Sequence, residues 1–244
     1  MRVDRPDATP PIGGHSSPDI APLRYPCTMW HRRLQRQLPK EAHYAFAGPE
    51  ARRPYHGPAH QRSLAGLETL FGRDGACNGC RCMWWHLSPQ AFLRSKGISN
   101  REALRNMGAS GDPPGLLVYA RGQPIGWCAI APRQTCPALQ RSRILKPVED
   151  GPVWSVPCLF VAKQYRRRKI SLALLRTAIA HAALHDATIV EGYPVESQTG
   201  READPFARTG TVAAFRHAGF TEVARRSPAR PVMRYTILAV RSDM

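Results

Sequence analysis

The chain has 244 residues, 43% of them hydrophobic, and carries 35 Lys and Arg against 18 Asp and Glu, a formal net charge of +17. That length suits one enzyme-sized domain with an extension and argues against two large domains. No apolar run of about 18 residues and no secretory apolar core is present, so a membrane span is not expected and a cytoplasmic protein is.

Residues 1–62 contain ten of the 23 prolines, five of the nine His and ten Lys and Arg against five Asp and Glu, with little apolar periodicity. They read as a disordered Pro/His/Arg-rich extension that cannot bury a core, leaving 63–244 as the domain. Cys77, Cys80, Cys82 and His86 follow with the spacing C-x2-C-x-C-x3-H. Seven cysteines without a secretory signal point to reduced thiols. The cluster has enough soft ligands for zinc but lacks the paired-knuckle spacing, so packing is the leading reading, ahead of a thiol role and a metal.

Cys80 to Leu87 reads as a first strand, with one of Trp84 and Trp85 facing inward and the other outward, where it can line a pocket. Ser88-Pro89 caps and starts a short helix stopped by Gly97, and Asn100 caps a second helix running to about Ser110. Gly115–Ala120 and Ile125–Ala131 flank Arg121 to Pro124 as a hairpin. Val153–Val161 is a strand interrupted by Pro157, which marks either a bulge or the end of an edge strand. Ala187–Tyr193 is a further strand, Phe206 to Ala218 a helix, and Glu222–Arg226 with Val232–Leu238 a final pair.

The most specific segment is Val161 to Ser171, VAKQYRRRKIS, which runs into LALLRTAIAHA. There Leu172, Leu175, Ile179 and Ala182 fall on one face at helical spacing. A strand, a tight turn and a helix start gather free backbone N–H groups and the positive end of the helix dipole at one point, which suits phosphate. Arg166, Arg167, Arg168 and Lys169 add four positive charges, enough to meet a polyphosphate. A basic surface turn before a core helix is the plainer alternative. The net charge favours acidic partners, yet no helix-turn-helix, zinc-finger or RNP pattern appears, so nucleic acid is not expected as a partner.

This segment resembles the acyl-CoA loop of the GCN5-related N-acetyltransferase (GNAT) family. There a strand ending in Val leads to Arg/Gln-x-x-Gly-x-Gly/Ala at the start of a helix. The first position falls on Arg166, the glycine on Lys169 and the last small residue on Ser171; Lys169 and Ser171 depart from the pattern. Ala213 to Phe220, AAFRHAGF, is similar to the family's last-helix ending. The order β-α-α-β-β-β-α-β-α-β-β over 63–240 is also the family's. The resemblance implies an α/β (α+β) fold with a mixed, mostly antiparallel central sheet, a splayed cofactor strand and helices on both faces. It implies acetyl-CoA as co-substrate, held by Leu159, Phe160, Val161, Arg166, Arg167, Arg168, Lys169, Ile170 and Ser171, with the backbone of Leu159 and Val161 bonding the pantetheine arm.

The activity so implied is acetyl transfer from the CoA thioester to a primary amine of a small molecule or protein, by direct attack in a ternary complex. The family's acid, a Tyr in the last helix, falls on Phe215. That leaves Tyr193, Cys158 or water as candidate acid and Glu191 as candidate base. A catalytically weak acyl-CoA-binding protein, or a thiol- or metal-dependent regulator on the same fold, is the alternative. The amine acceptor is unidentified, no membrane partner is expected, and a homodimer is compatible with the sequence.

Overall fold

A computed structural model describes residues 42–45, 61–72, 75, 79–95, 98–109, 115–120, 122–196 and 209–237. The strands in chain order are β1 (Ala42–Ala45), β2 (Gly115–Ala120), β3 (Gln123–Ala129), β4 (Ala131–Pro132), β5 (Trp154–Val156), β6 (Leu159–Val161), β7 (Ile189–Gly192), β8 (Thr221–Arg225) and β9 (Pro231–Thr236). The helices are α1 (Gln61–Phe71), α2 (Pro89–Arg94), α3 (Ile98–Ala109), α4 (Pro137–Arg141), α5 (Ile170–Ala183) and α6 (Val212–His217). One sheet has the order β1-β2-β3-β6 and the other β4-β5-β7-β9-β8. Every pairing is antiparallel except β5 with β7.

The two sheets are joined by one long hairpin whose arms both cross between them. Cys128 pairs with Leu159 in the first sheet and Ala131 with Ser155 in the second. Between those pairs, residues 129 and 130 on one arm face residues 156, 157 and 158 on the other. The arm containing Pro157 therefore has one residue too many, which defines a β-bulge and bends the strand from one sheet into the other. Of the two readings of Pro157, the bulge is the one observed, since pairing resumes on both sides of it. Here its missing N–H interrupts no ladder bond.

Two apolar layers hold the sheets. On one face, Leu174, Leu175 and Ala178 of α5 and Phe215 of α6 pack with Val118, Ile125, Val156 and Leu159. A Cβ on Gly126 would lie 2.9 Å from a Val118 methyl and 3.1 Å from a Leu174 methyl, so the glycine allows α5 to sit close to β3. On the other face, Leu67 and Phe71 of α1, Phe92 of α2 and Leu104 of α3 cover Leu117, Trp127, Cys158 and Tyr193. Helices thus lie on both faces, as the sequence suggests.

Several expectations are corrected. Cys80–Leu87 is not a strand. Arg81 and Cys82 take left-handed angles (φ 43 and 65), and a 3₁₀ turn over Met83–Trp85 follows. Burying Cys82, Met83 and Trp85 together outweighs the alternation in the sequence. Asn100 is inside α3 rather than at its cap, with its side-chain amide donating to the Gly79 carbonyl at 3.1 Å. The expected helix Phe206 to Ala218 begins only at Val212, capped by the Thr211 hydroxyl, while Thr209 and Thr211 form parallel bridges to Leu159 and Val195. The core face of α5 carries Ile170, Leu174, Leu175, Ala178 and Ala182, so Leu175 and Ala182 lie on it as expected while Leu172 and Ile179 stand at its margin. Helix α1 and strand β1 were not foreseen. Strand β1 falls inside the stretch expected to be disordered and forms the outer strand beside β2. Cys77, Gly97, Ser110 and Gly111 lie outside the described residues.

Candidate functional site

The parallel pairing of β5 with β7 ends at Val156 opposite Gly192. Beyond that point β6 follows β3 into the other sheet, while the chain after β7 turns away, so a wedge opens between them. Ladder parity fixes what β6 presents to the wedge. The Ala129 N–H donates to the Cys158 carbonyl and the Ala162 N–H to the Ile125 carbonyl, both at 2.9 Å. Residues 158, 160 and 162 therefore bond toward β3, and the N–H and C=O of Leu159 and Val161 point into the wedge. At one end Leu159 bridges to Thr209, and at the other the Val161 carbonyl accepts from Arg166 Nε at 3.2 Å.

The wedge leads to the basic turn. Arg167 and Lys169 are left-handed (φ 62 and 61), and Lys169 is the residue preceding the first turn of α5. The Ala173 N–H is the one that reaches back to the Lys169 carbonyl (3.1 Å), so the N–H groups of residues 170–172 have no carbonyl to reach within the helix. Arg167, Arg168 and Lys169 are exposed, and the Arg168 guanidinium stands over the Tyr165 ring at 5.6 Å. Donors, dipole and cations converge as a diphosphate requires, and the left-handed position holds despite the lysine side chain. The residues present therefore fit the phosphate end of CoA.

At the closed end of the wedge, around the last paired residues of β5 and β7, lies a buried polar network. Arg133 donates to Glu191 (3.3 Å), to the Tyr193 hydroxyl and to the carbonyls of Leu139 and Leu145. Glu191 also accepts from Arg234 at 2.7 Å, and the Tyr193 and Ser155 hydroxyls are 2.8 Å apart. Burial, then the Glu191 carboxylate, pushes the Tyr193 phenol well above its ordinary value, so it stays protonated. On the same face the Cys158 and Cys82 sulfurs lie 3.0 Å apart, and Trp127 Nε1–H donates to Cys82 at 3.1 Å. Burial raises the Cys82 thiol strongly, with Cys158 adding to the shift, so it is a neutral thiol. Beside this cluster is a cavity of about 400 Å³, walled by Trp84, Trp85, Leu87, Ile144, Arg141 and Arg230 among others.

The model of the acetyltransferase (GNAT) family matches residues 80–207, which is 128 of the 244 residues. The chain belongs to the acetyltransferase (GNAT) family. No curated protein matches it. Among solved structures it is similar to a protein from Pyrococcus horikoshii OT3, with 12% identity over 82% of this chain and 100% of that one, at a TM-score of 0.46. The PaiA N-acetyltransferase from Thermoplasma acidophilum, solved in complex with coenzyme A, is similar at 14% identity over 72% of this chain and 93% of that one, with a TM-score of 0.41. Ard1 from Thermoplasma volcanium is similar at 12% identity over 72% and 94%, with a TM-score of 0.40. Likeness at these levels assigns no ligand or acceptor to this chain.

In this acetyltransferase the residues singled out from the sequence fall into two groups. Leu159, Phe160 and Val161 make up β6, Arg166 to Lys169 form the turn before α5, and Ile170 and Ser171 begin that helix, Ile170 with its side chain in the core. Glu191 and Tyr193 meet in one network, but both are buried and their polar atoms are engaged by Arg133, Arg234 and Ser155. Cys158 faces Cys82 instead of that network. Phe215 is fully buried with its ring against Gly192, where a Cβ would come within 1.9 Å of it. Cys82 and His86 diverge, since His86 Nδ1 lies 2.9 Å from the Thr135 carbonyl. Among the described residues no three His, Cys, Asp or Glu gather as a metal site, and no helix is long and apolar enough to cross a membrane. Arg133, Ser155 and Arg230 were missed, because nothing local marks a buried arginine; its meaning comes from the carboxylate 58 residues away.

Proposed function

We propose that this chain is an acetyl-CoA-dependent N-acetyltransferase that moves an acetyl group to a primary amine of a small molecule or protein, by direct attack in a ternary complex in the cytoplasm. The observation that carries this reading is the wedge beyond Val156 and Gly192. Its backbone edge at Leu159 and Val161, bridged by Thr209 at one end and met by Arg166 at the other, leads to the cationic start of α5. The described cysteines are all free, which suits a reducing compartment.

Acetyl-CoA supplies the activated thioester. In this reading the pantetheine arm displaces the bridge from Thr209, so that Leu159 and Val161 bond its amides and the Leu159 N–H polarises the thioester carbonyl. The first-turn N–H groups of α5, with Arg166 to Lys169, hold the diphosphate. The amine nitrogen forms the C–N bond as the C–S bond breaks; it gives up one proton and the departing thiolate takes one. Glu191 and Tyr193 hold Arg133 and the end of β7 in place. With their polar atoms occupied, we assign both proton transfers to water at the mouth of the wedge.

Thiol release from acetyl-CoA over an amine panel, with CoA binding measured by calorimetry, tests the reading. Replacing Arg166 and Arg168 together by Ala is expected to weaken CoA binding by about 1.5–3 kcal/mol for each charge-assisted bond lost. The affinity of the wild-type chain is expected to fall as salt rises. Unchanged binding in the double variant overturns the cofactor assignment.

A further inference from the structure

The cysteine cluster has no task in acetyl transfer as derived above. The five described cysteines are all buried and free of disulfides. Cys128 belongs to the apolar layer under α5, whereas Cys80, Cys82, Cys136 and Cys158 belong to the layer under α1. Within that second layer two thiols meet. The Cys82 and Cys158 sulfurs are 3.0 Å apart although 76 positions separate the residues in the chain. An S–S bond is about 2 Å long, so an approach of about 1 Å joins them.

The two sulfurs are carried by segments of different kinds. Cys158 is the residue before β6; its carbonyl accepts from the Ala129 N–H at 2.9 Å, and Leu159 beside it pairs with Cys128 of β3. Its position is set by the sheet. Cys82 stands outside both sheets, in a turn where Arg81 and Cys82 are left-handed and the 3₁₀ residues Met83 to Trp85 follow. Side chains resist that conformation, so the turn is the part that can give. The Cys82 sulfur also accepts from Trp127 Nε1–H at 3.1 Å, which sets an indole against any bond formed there.

We propose that Cys82 and Cys158 form a redox site that a peroxide converts to a disulfide, fastening the Cys82 turn to the base of β6. Burial holds the Cys82 thiol neutral, so oxidation waits for the turn to open locally and is slow. Cys82, deprotonated while the turn is open, attacks one peroxide oxygen. The O–O bond breaks, hydroxide leaves and takes up a proton as water, and Cys82 becomes a sulfenic acid. When the turn closes, the Cys158 sulfur attacks the Cys82 sulfur and the S–O bond breaks. The hydroxyl departs as a second water with the Cys158 proton, and the S–S bond remains. The two thiols together give up two electrons, which reduce the peroxide to two waters. Because Cys158 already lies against Cys82, this condensation outruns further oxidation to the sulfinic acid. The proposal stands apart from the acetyltransferase reading, since it needs neither CoA nor an acceptor.

The full chain, reduced and then treated with hydrogen peroxide, tests it. Peptide mapping without reduction is expected to recover a crosslink between Cys82 and Cys158 of one chain. Closing so long a loop should raise the melting temperature by roughly 5 °C. Tryptophan emission should fall, because a disulfide beside Trp127 quenches it, and dithiothreitol should reverse both changes. Cys158→Ala, which leaves the Cys82 sulfur to the Trp127 N–H, is expected to abolish the crosslink, the rise and the reversible quench. Cys82→Ser keeps a hydroxyl for that N–H and should do the same, so the test survives if one of the two variants fails to fold. A crosslink to Cys27, Cys77, Cys80, Cys128 or Cys136 in place of this one overturns the proposal. So does a crosslink between chains, sulfinic acid at either residue without a crosslink, full recovery of both thiols, or a crosslinked chain that melts no higher than the reduced one.

Discussion

Lys169 meets two opposed demands. Its φ of 61 belongs to the left-handed region, where a side chain costs roughly 1 kcal/mol or more relative to glycine, while its ammonium stands where a diphosphate is to bind. Lys169→Gly is therefore expected to stabilise the fold by about 1 kcal/mol in denaturant titration. The same change should weaken CoA binding by about 1.5–3 kcal/mol in calorimetry, the range for a lost charged hydrogen bond. Phe215 yields a simpler expectation. Its ring is wholly buried between Gly192 and Gly210 and edge-on to Phe220 at 4.9 Å, so a hydroxyl added by Phe215→Tyr would be buried with it. Such a burial costs about 1–3 kcal/mol without a partner, and unfolding should show that loss with no gain in turnover. The position of Lys169 was legible, because motif spacing places the glycine slot of the turn on it. The turn at Cys82 was not legible. A left-handed Arg81-Cys82 pair carries no Gly or Asn to announce it, and only burial against Trp127 and Cys158 explains it.

Helix α5 shows what an element adds to its residues. Its last turn and the residues just after it put His181 and His185 against Trp154 of β5, with His181 to His185 at 4.7 Å and His185 stacked on the indole at 5.2 Å. Burial, then the neighbouring His185, lowers the His181 pKa from 6.5 to about 4. The folded chain thus prefers neutral His181, and the unfolded chain binds the proton first as pH falls. Stability is fully present above pH 6.5 and drains away between 6.5 and 4. Denaturant titrations at pH 7.5 and 5 are expected to differ by about 2 kcal/mol from this group, and His181→Leu should remove that difference. Existence and order of the elements were readable wherever periodicity and punctuation agreed. Ser88 caps α2 through its hydroxyl, and the hairpin β2–β3 is present as expected, although its turn is tighter than Arg121 to Pro124, since Gln123 and Pro124 already pair with Ala120 and Tyr119. The reading failed at Cys80–Leu87 and at residues 209–211, where contact with a distant strand, not local preference, decides the conformation.

Over the whole molecule, Pro157 marked an irregular strand in the sequence, as a bulge or an edge, whereas the pairing of Arg133 with Glu191 depends on the parallel register of β5 and β7 and has no linear signal. Strand β1 pairs along the outer edge of β2. A chain beginning at Lys40 is expected to remain monodisperse and to bind CoA as the full chain does. One beginning at Gln61 should bind CoA with the same affinity, since β1 is at the far side of its sheet from β6, but should self-associate through the bared edge, visible in light scattering. The bulge at Pro157 also has a kinetic meaning. A slip of one residue would zip the two arms into a regular ladder. It would also carry Cys158 and Leu159 to opposite faces and push a nitrogen without hydrogen into the rungs. The arm is thereby locked out of that register, so the splay of β6 from β7 is fixed by the chain itself. In the proposed complex the pantetheine amides take over an edge that Thr209 bridges at Leu159.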